Sequence, residues 1–288
     1  TVRQLGAIPV FADSRSLTDF NVSVESIKAA ITDKTRAIII VHFAGFPMDL
    51  TELSQICASR NITLIEDCAH APGAMINGVS CGSMGDCSFF SFFSNKNLAV
   101  GEGGMVFAKD NELLKKIRLM RSHGMTAVTL ERHLGRAITY DVAMVGLNYR
   151  PDEMRAAIGR VQLKKLRTAN QQRKNLFGRY AKLFSKSDVS VPFLELEGDI
   201  TGAYHIMPII LPDGIDRKTV ISKLRHLGIQ TSVHYPNFRD FTGYSDLSSS
   251  YSTPIVDQIC DRELTLPLHP RMTIEKVDFV TKALLREL

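Results

Sequence analysis

Two charged residues, Asp67 and Lys96, are placed where they could do chemistry together. Asp67 follows the apolar run Thr63, Leu64 and Ile65 and precedes several small residues, so its carboxylate could meet a cationic ring nitrogen in a dry site. Lys96 lies about one βα or ββ unit further along the chain, between a cluster of phenylalanines and a group of glycines. Lysines desolvated by such neighbours have a lowered pKa and can form imines as nucleophiles.

Each residue also has an ordinary interpretation when it is taken alone. Asp67 could cap a helix N-terminus, and a lone lysine in a loop is usually a solvated surface charge. The pair is more informative, because an imine-forming lysine and an acid for the pyridine nitrogen are the two protein groups that pyridoxal phosphate most needs.

The elements around these residues predict an α/β fold. Apolar runs alternate with helical patterns through the first half, which predicts βα units and a mostly parallel sheet. The unbroken β-branched run at 37–41 predicts a strand buried on both faces. Asp67 would then lie at the carboxyl edge of the sheet, where open α/β sheets bind ligands. The predicted elements of this half are 9–12, 24–31 with Ser23 as N-cap, 37–42, 50–60, 63–66, 87–93, 105–108 and the helix 111–122.

The second half predicts a connector and a smaller domain. A pattern rich in Leu, Lys, Arg and Gln predicts a long helix or a helix pair over 151–184. We therefore expect a large domain over 1–165, and a connecting helix with a small α+β domain over 166–288. The later predicted elements are a strand at 203–211, a helix at 216–227, a strand at 229–234, a loop at 236–253 and a helix at 274–288.

Composition excludes several classes of protein. The 288 residues are 44% hydrophobic and 23% charged, which excludes collagen, coiled coils and disordered chains. The net charge of +5 is scattered, and the absence of a basic stripe argues against a nucleic-acid partner. Five cysteines without C-x-x-C spacing argue against a disulfide framework and a zinc site. No apolar run approaches the roughly 20 residues of a membrane span, so we expect a cytoplasmic protein without a membrane partner or a bound metal.

The wider sequence around these residues resembles the DegT/DnrJ/EryC1/StrS family of sugar aminotransferases, which are fold type I pyridoxal-phosphate enzymes. The resemblance runs in order along nearly the whole chain. It is carried by the segments 66–74, 82–86, 89–98, 101–104, 146–151, 156–159, 162–163, 228–229, 234–235 and 266–270.

The resemblance implies a role for each matched residue. Lys96 would form the imine with pyridoxal phosphate and later move the proton between substrate and cofactor, and Asp67 would keep the pyridine nitrogen protonated. Ser91 matches the serine that contacts the cofactor phosphate, and His70 matches a position near the ring and its phenolic oxygen. Taken alone, His70 is more typical of a satisfied core histidine.

The family also implies a homodimer with shared active sites. Asn148 matches a residue that reaches the cofactor phosphate of the neighbouring subunit. The resemblance places Tyr149 beside it, and Arg150 could hold an anionic substrate group or form a surface ion pair. His234 and Tyr235 match a loop bordering a nucleotide-sugar cleft, whose shape we expect to depend on the loop 236–253. The implied substrates are a nucleotide-linked keto sugar and an amino donor, glutamate.

The sequence departs from the family at its start. In the family, about 70 to 80 further residues precede the matched segments, and they have no counterpart here. Those residues normally include the backbone that surrounds the cofactor phosphate and an aromatic side chain that stacks on the pyridine ring. We expect a fragment of a longer protein. Alternatives are an aminotransferase for a cyclitol or aminobenzoate precursor and a non-catalytic relative that binds a partner. A dehydratase of the same family ranks lower, because that branch replaces the lysine by histidine whereas this chain keeps Lys96.

Overall fold

The protein is a mixed α/β structure, and this computed structural model describes residues 1–126, 134–135, 139–247 and 251–288. Short 3-10 turns at Arg3–Leu5, Phe43–Gly45, Phe238–Asp240 and Thr242–Leu247 join the regular elements. The strands are β1 (Ala37–Val41), β2 (Thr63–Asp67), β3 (Met75–Ile76), β4 (Val79–Ser80), β5 (Cys87–Ser91), β6 (Gly104–Ala108), β7 (Ile200–Thr201), β8 (Met207–Ile210) and β9 (Glu263–Leu266). The helices are α1 (Val24–Ala30), α2 (Thr51–Arg60), α3 (Asn111–Met120), α4 (Glu153–Phe184), α5 (Arg217–His226), α6 (Pro254–Arg262) and α7 (Ile274–Glu287).

The main sheet has the strand order β1-β2-β5-β6. The first three strands run parallel and β6 pairs antiparallel to β5. Val41 aligns with Asp67, and Asp67 aligns with Phe89. The carboxyl ends of three neighbouring strands therefore meet at one edge, and the chain segments that leave them form the candidate site.

The helix α4 links the two halves of the chain. Seven of its residues are buried, and all but Leu176 recur at alternating steps of three and four, as expected for a helix that buries one stripe. A bidentate ion pair at 2.7 Å joins Arg179 to Asp278 of α7. The predicted division at 165 and 166 stays a prediction, and it falls inside α4. The recurring buried positions are Leu166, Asn170, Arg173, Phe177, Tyr180 and Phe184.

An apolar cluster surrounds the two-stranded sheet β8–β9. All four residues of each strand are buried, and α7 packs its inner face against them. Phe46 from the first half also enters this cluster and stacks on Phe193 with ring centroids 4.5 Å apart. The smaller half is thus anchored to the larger by shared aromatic packing.

Several sequence expectations are confirmed and others are wrong. Ser23 caps α1 by accepting a hydrogen bond from Ser26 N, as predicted. The strand at 37–41 forms, but Ile39 is 47% exposed, so the face of β1 that carries Ile39 is not fully buried. Residues 9–12 form no strand, and 229–234 contributes a single bridge, between Ser232 and Thr265. The helix α6 and the strand β9 were not predicted.

None of the helices in the described ranges combines the length and the apolar character that crossing a membrane requires.

Candidate active site

Asp67 lies at the carboxyl end of β2 with a half-buried side chain. Its Oδ1 accepts a hydrogen bond of 2.9 Å from Ala69 N, so the aspartate also orders the turn that follows the strand. Burial raises the pKa of Asp67, although this backbone hydrogen bond and the charge of Lys96 both act in the opposite direction.

Lys96 lies in the loop after β5, where its backbone N donates to Phe93 O at 3.0 Å. Desolvation lowers the pKa of Lys96, and the charge of Asp67 opposes that shift. The two residues therefore lie close enough to influence each other's protonation, at the sheet edge where the sequence places both. No described residue forms an ion pair with the lysine ammonium.

A network of amides holds the backbone next to Lys96. The Asn97 Nδ2 donates to Asn170 Oδ1 on α4 at 2.9 Å and to Ala203 O at 2.7 Å. Its Oδ1 lies 2.9 Å from His205 Nδ1, and Asn170 donates onward to Pro72 O at 3.0 Å. This network fixes the lysine loop to α4 and to the turn that follows Asp67.

His70 is buried between these elements and has an unsatisfied ring nitrogen. Its Nε2 lies 3.3 Å from the Tyr235 hydroxyl, whereas its Nδ1 has no partner among the described residues. The ring lies 4.4 Å from that of His205. Burial, reinforced by the charge of Lys96, lowers the pKa of His70 to about 3, so the ring is neutral at physiological pH.

His234 and Tyr235 reach the same place from the second half of the chain. His234 Nδ1 lies 2.8 Å from Thr265 Oγ1, and its backbone N donates to Glu263 at 2.8 Å. Burial raises the pKa of Glu263 to about 7. The structure therefore brings together Asp67, His70, Lys96, His234 and Tyr235.

The remaining predicted residues make no hydrogen bond or ring contact with this group among the described residues; Ser91 lies at the same edge of the sheet, whereas 148–150 are exposed. Ser91 ends β5, and its Oγ accepts from Phe93 N at 3.3 Å. Asn148, Tyr149 and Arg150 form an exposed segment in which Arg150 Nε donates to Asn148 Oδ1 at 2.9 Å. In the described part of the chain, no hydrogen bond or ring contact joins this segment to Lys96.

A buried cluster behind Asp67 was not predicted. The carboxylate of Glu66 accepts four hydrogen bonds, two on each oxygen, from His42, Gly82, Met84 and Gly85 at 2.6 to 2.9 Å. Met48 N donates to His42 Nδ1, so Nε2 carries the proton that points to Glu66. Although burial alone would raise the pKa of Glu66, these hydrogen bonds lower it.

The ligand atoms of His42, Glu66 and Cys68 lie within 4.8 Å of one another, a spacing that could hold a metal ion. Both oxygens of Glu66 and both nitrogens of His42 are already used in hydrogen bonds, and burial raises the pKa of the Cys68 thiol. The cluster is therefore structural, and it holds the turn at 82–85 from which β5 begins.

A cavity of about 890 Å³ opens beside Lys96 between the two halves of the chain. Its wall includes Lys96, Arg173, His205, Thr231, His234 and Lys276, together with apolar residues of β9 and α7. Four residues in or beside this cavity were not predicted from the sequence, namely Asn97, Asn170, Arg173 and His205. The interruption of the apolar stripe of α4 by Asn170 and Arg173 is the signal that could have found two of them.

Comparison with known proteins places this geometry in context. The model of the DegT/DnrJ/EryC1/StrS aminotransferase family matches residues 1–285. A UDP-N-acetyl-3-dehydro-alpha-D-glucosamine 3-aminotransferase of Acidithiobacillus ferrooxidans is 33% identical over all of this chain and 73% of its own length. The spore coat polysaccharide biosynthesis protein SpsC of Bacillus subtilis is 32% identical over 98% of this chain and 74% of its own.

Solved structures are also similar. PseC of Helicobacter pylori, an aminotransferase involved in pseudoaminic acid biosynthesis, superposes with a TM-score of 0.91 at 26% identity, over 99% of this chain and 75% of its own. The PLP form of the sugar aminotransferase Spr1654 of Streptococcus pneumoniae gives a TM-score of 0.88 at 26% identity, over 100% of this chain and 78% of its own.

Proposed function

Because the chain belongs to the DegT/DnrJ/EryC1/StrS aminotransferase family, we propose that it transfers an amino group from glutamate to a nucleotide-linked keto sugar. Membership makes it a pyridoxal-phosphate-dependent aminotransferase of fold type I, so the predicted fold class, enzyme class and cofactor are confirmed. The sugar and the donor are the part that we propose.

The proposed substrate is supported by relatives and by the character of the cavity. One relative is named for a keto derivative of a UDP-linked sugar, and another for polysaccharide biosynthesis. The described wall of the cavity carries Lys96, Arg173 and Lys276 and no acidic side chain. Such a wall favours anionic substrates, which both a sugar nucleotide and glutamate are.

One observation carries the proposal, namely the joint placement of Asp67 and Lys96 at the edge of the sheet. When it is bound, pyridoxal phosphate supplies an electron sink for the carbanion formed as the amino group moves. Lys96, with its lowered pKa, would hold and move the proton at its Nζ. The Asp67 carboxylate would keep a proton on the ring nitrogen.

The other residues of the site fit this cofactor. His70 Nδ1 is buried and has no hydrogen-bond partner in the part of the chain that the structure describes, as expected for a nitrogen that meets a bound group. The Ser91 hydroxyl lies at the end of β5 and would donate to the phosphate. His234 and Tyr235 would border the sugar cleft, which the loop 236–253 would shape; residues 248–250 of that loop lie outside the described residues.

We further propose a homodimer in the cytoplasm. Asn148, Tyr149 and Arg150 are exposed and separate from Lys96, which is the arrangement expected if they complete the site of a neighbouring subunit. In that subunit Asn148 would donate to the cofactor phosphate, and Tyr149 and Arg150 would contact the substrate.

The proposal is tested by incubating the protein and pyridoxal phosphate with glutamate and a panel of keto-sugar nucleotides. We expect an amino sugar and 2-oxoglutarate in equal amounts, and a loss of both in Lys96→Ala. Lys115→Ala is the matched control, because Lys115 is an exposed lysine of α3 paired with Glu112. Amination of a cyclitol or aminobenzoate precursor instead, or turnover by Lys96→Ala, would contradict the proposal.

A further inference from the structure

Arg173 is a buried cation that has no counter-ion among the described residues. It is 7% exposed, and both of its hydrogen bonds leave from Nη1, to Leu268 O at 2.9 Å and to His205 O at 3.4 Å. Its Nε has no partner, and no carboxylate pairs with it in the described part of the chain. Buried charges in proteins are normally paired, because an unpaired one is costly to desolvate.

Thr231 presents a second unsatisfied group at the same cavity. Its Oγ1 is buried and has no hydrogen-bond partner among the described residues. Thr231 and Arg173 both line the cavity that contains Lys96, and no acidic side chain contributes to the described wall. Two residues from different parts of the chain that line one cavity thus each carry a polar atom without a partner among the described residues, which indicates a ligand with oxygen acceptors.

We propose that Arg173 and Thr231 form a subsite for a carboxylate of the amino donor. This inference rests on the proposed function, because it assigns the place of the donor beside Lys96. The free edge of a guanidinium suits a planar two-oxygen anion, and the threonine hydroxyl can donate to the same group.

The position of Arg173 favours a carboxylate over the diphosphate of a sugar nucleotide. Arg173 is a buried residue of the wall, whereas Lys276 is an exposed one. A small anion on the same molecule as the reacting amine can reach the buried part. Burial lowers the pKa of His205, and the charges of Lys96 and Arg173 add to this shift, so both cations lie near this histidine.

The test measures binding of glutarate, a dicarboxylate without an amine, to the cofactor-loaded protein by calorimetry. Arg173→Lys keeps the positive charge but loses the planar pair of N–H donors of the guanidinium, and we expect its affinity for glutarate to fall about 10- to 100-fold. Thr231→Val keeps the shape of the side chain, and we expect a loss of about 3- to 10-fold. Arg179→Lys is the matched control, since Arg179 lies on the same helix but pairs with Asp278, and its affinity should equal that of the wild type.

Three results would overturn the subsite. They are no glutarate binding to the wild type, unchanged binding in a folded Arg173→Lys variant, and tight Arg173-dependent binding of pyrophosphate in place of glutarate. Circular dichroism shows whether Arg173→Lys is folded. If Arg173→Lys is unfolded, Thr231→Val tests the subsite, because the hydroxyl that it removes makes no hydrogen bond to the described residues. Glutarate binding without any sugar amination would support the subsite and contradict the proposed function. Sugar amination without glutarate binding would support the proposed function and contradict the subsite.

Discussion

Glu66→Gln should destabilise the turn before β5 although it changes one atom. In the wild type each carboxylate oxygen accepts two hydrogen bonds, from His42 and Gly82 on one side and from Met84 and Gly85 on the other. A glutamine places an NH2 group on one side, so in either orientation two N–H donors lose their acceptor. His42 cannot relieve this by changing its tautomer, because its Nδ1 already accepts from Met48 N.

The cost follows from these two unsatisfied donors. Each buried donor without an acceptor costs about 1 to 3 kcal/mol, which gives about 2 to 6 kcal/mol for the variant. Local opening should therefore become at least about 30-fold more frequent. Hydrogen exchange followed by mass spectrometry on peptides covering 80–86 measures this directly.

Glu52→Gln is the matched control for the same chemical change. Glu52 is exposed and pairs with Lys28, so its replacement should cost less than about 1 kcal/mol and leave exchange at 80–86 unchanged. Exchange in Glu66→Gln that equals the control would refute the role assigned to the four hydrogen bonds.

Three further predictions follow from the same contacts. Asp67→Asn removes the charge that opposes desolvation, so the pKa of Lys96 should fall further; acetylation of Lys96 against pH should shift to lower pH, and an unchanged profile would contradict the coupling. Burial raises the pKa of Glu263 from 4.5 to about 7, so the folded state binds the proton more tightly than the unfolded state does. The free energy of unfolding should therefore fall as the pH rises between these two values, by at most about 1.4 kcal/mol per pH unit. Urea unfolding of Glu263→Gln should lack that slope. An identical slope in the wild type and the variant would contradict the assignment of the pH dependence to Glu263. Phe46→Ala should cost about 3 to 5 kcal/mol in urea unfolding, because Phe46 is 2% exposed, whereas the partly exposed Phe241→Ala should cost less than 1 kcal/mol, and equal costs would contradict the packing.

The sequence was sufficient to predict the features that depend on local pattern. Asp67 follows an apolar run and so marks the end of β2, and the parallel pairing of β1 with β2 follows from the helical pattern between them. Lys96 was placed at the same edge because its distance along the chain matches about one βα or ββ unit.

Features that depend on tertiary packing were not accessible in this way. The run at 37–41 has the composition of a strand buried on both faces, but composition does not determine what covers each face, and Ile39 is exposed. Arg173 is one of many basic residues of α4, and only the packing of that helix decides that it faces the cavity. The partnership of His70 with Tyr235 joins residues 165 positions apart.

The most direct test of the account is to locate the lysine that holds the cofactor. The protein is incubated with pyridoxal phosphate, reduced with borohydride, digested and analysed by mass spectrometry. We predict the pyridoxyl group on the peptide that contains Lys96, its loss in Lys96→Ala and its retention in Lys115→Ala. A label on another lysine, or no label on the wild type, would contradict the assignment of Lys96 and with it the proposed site.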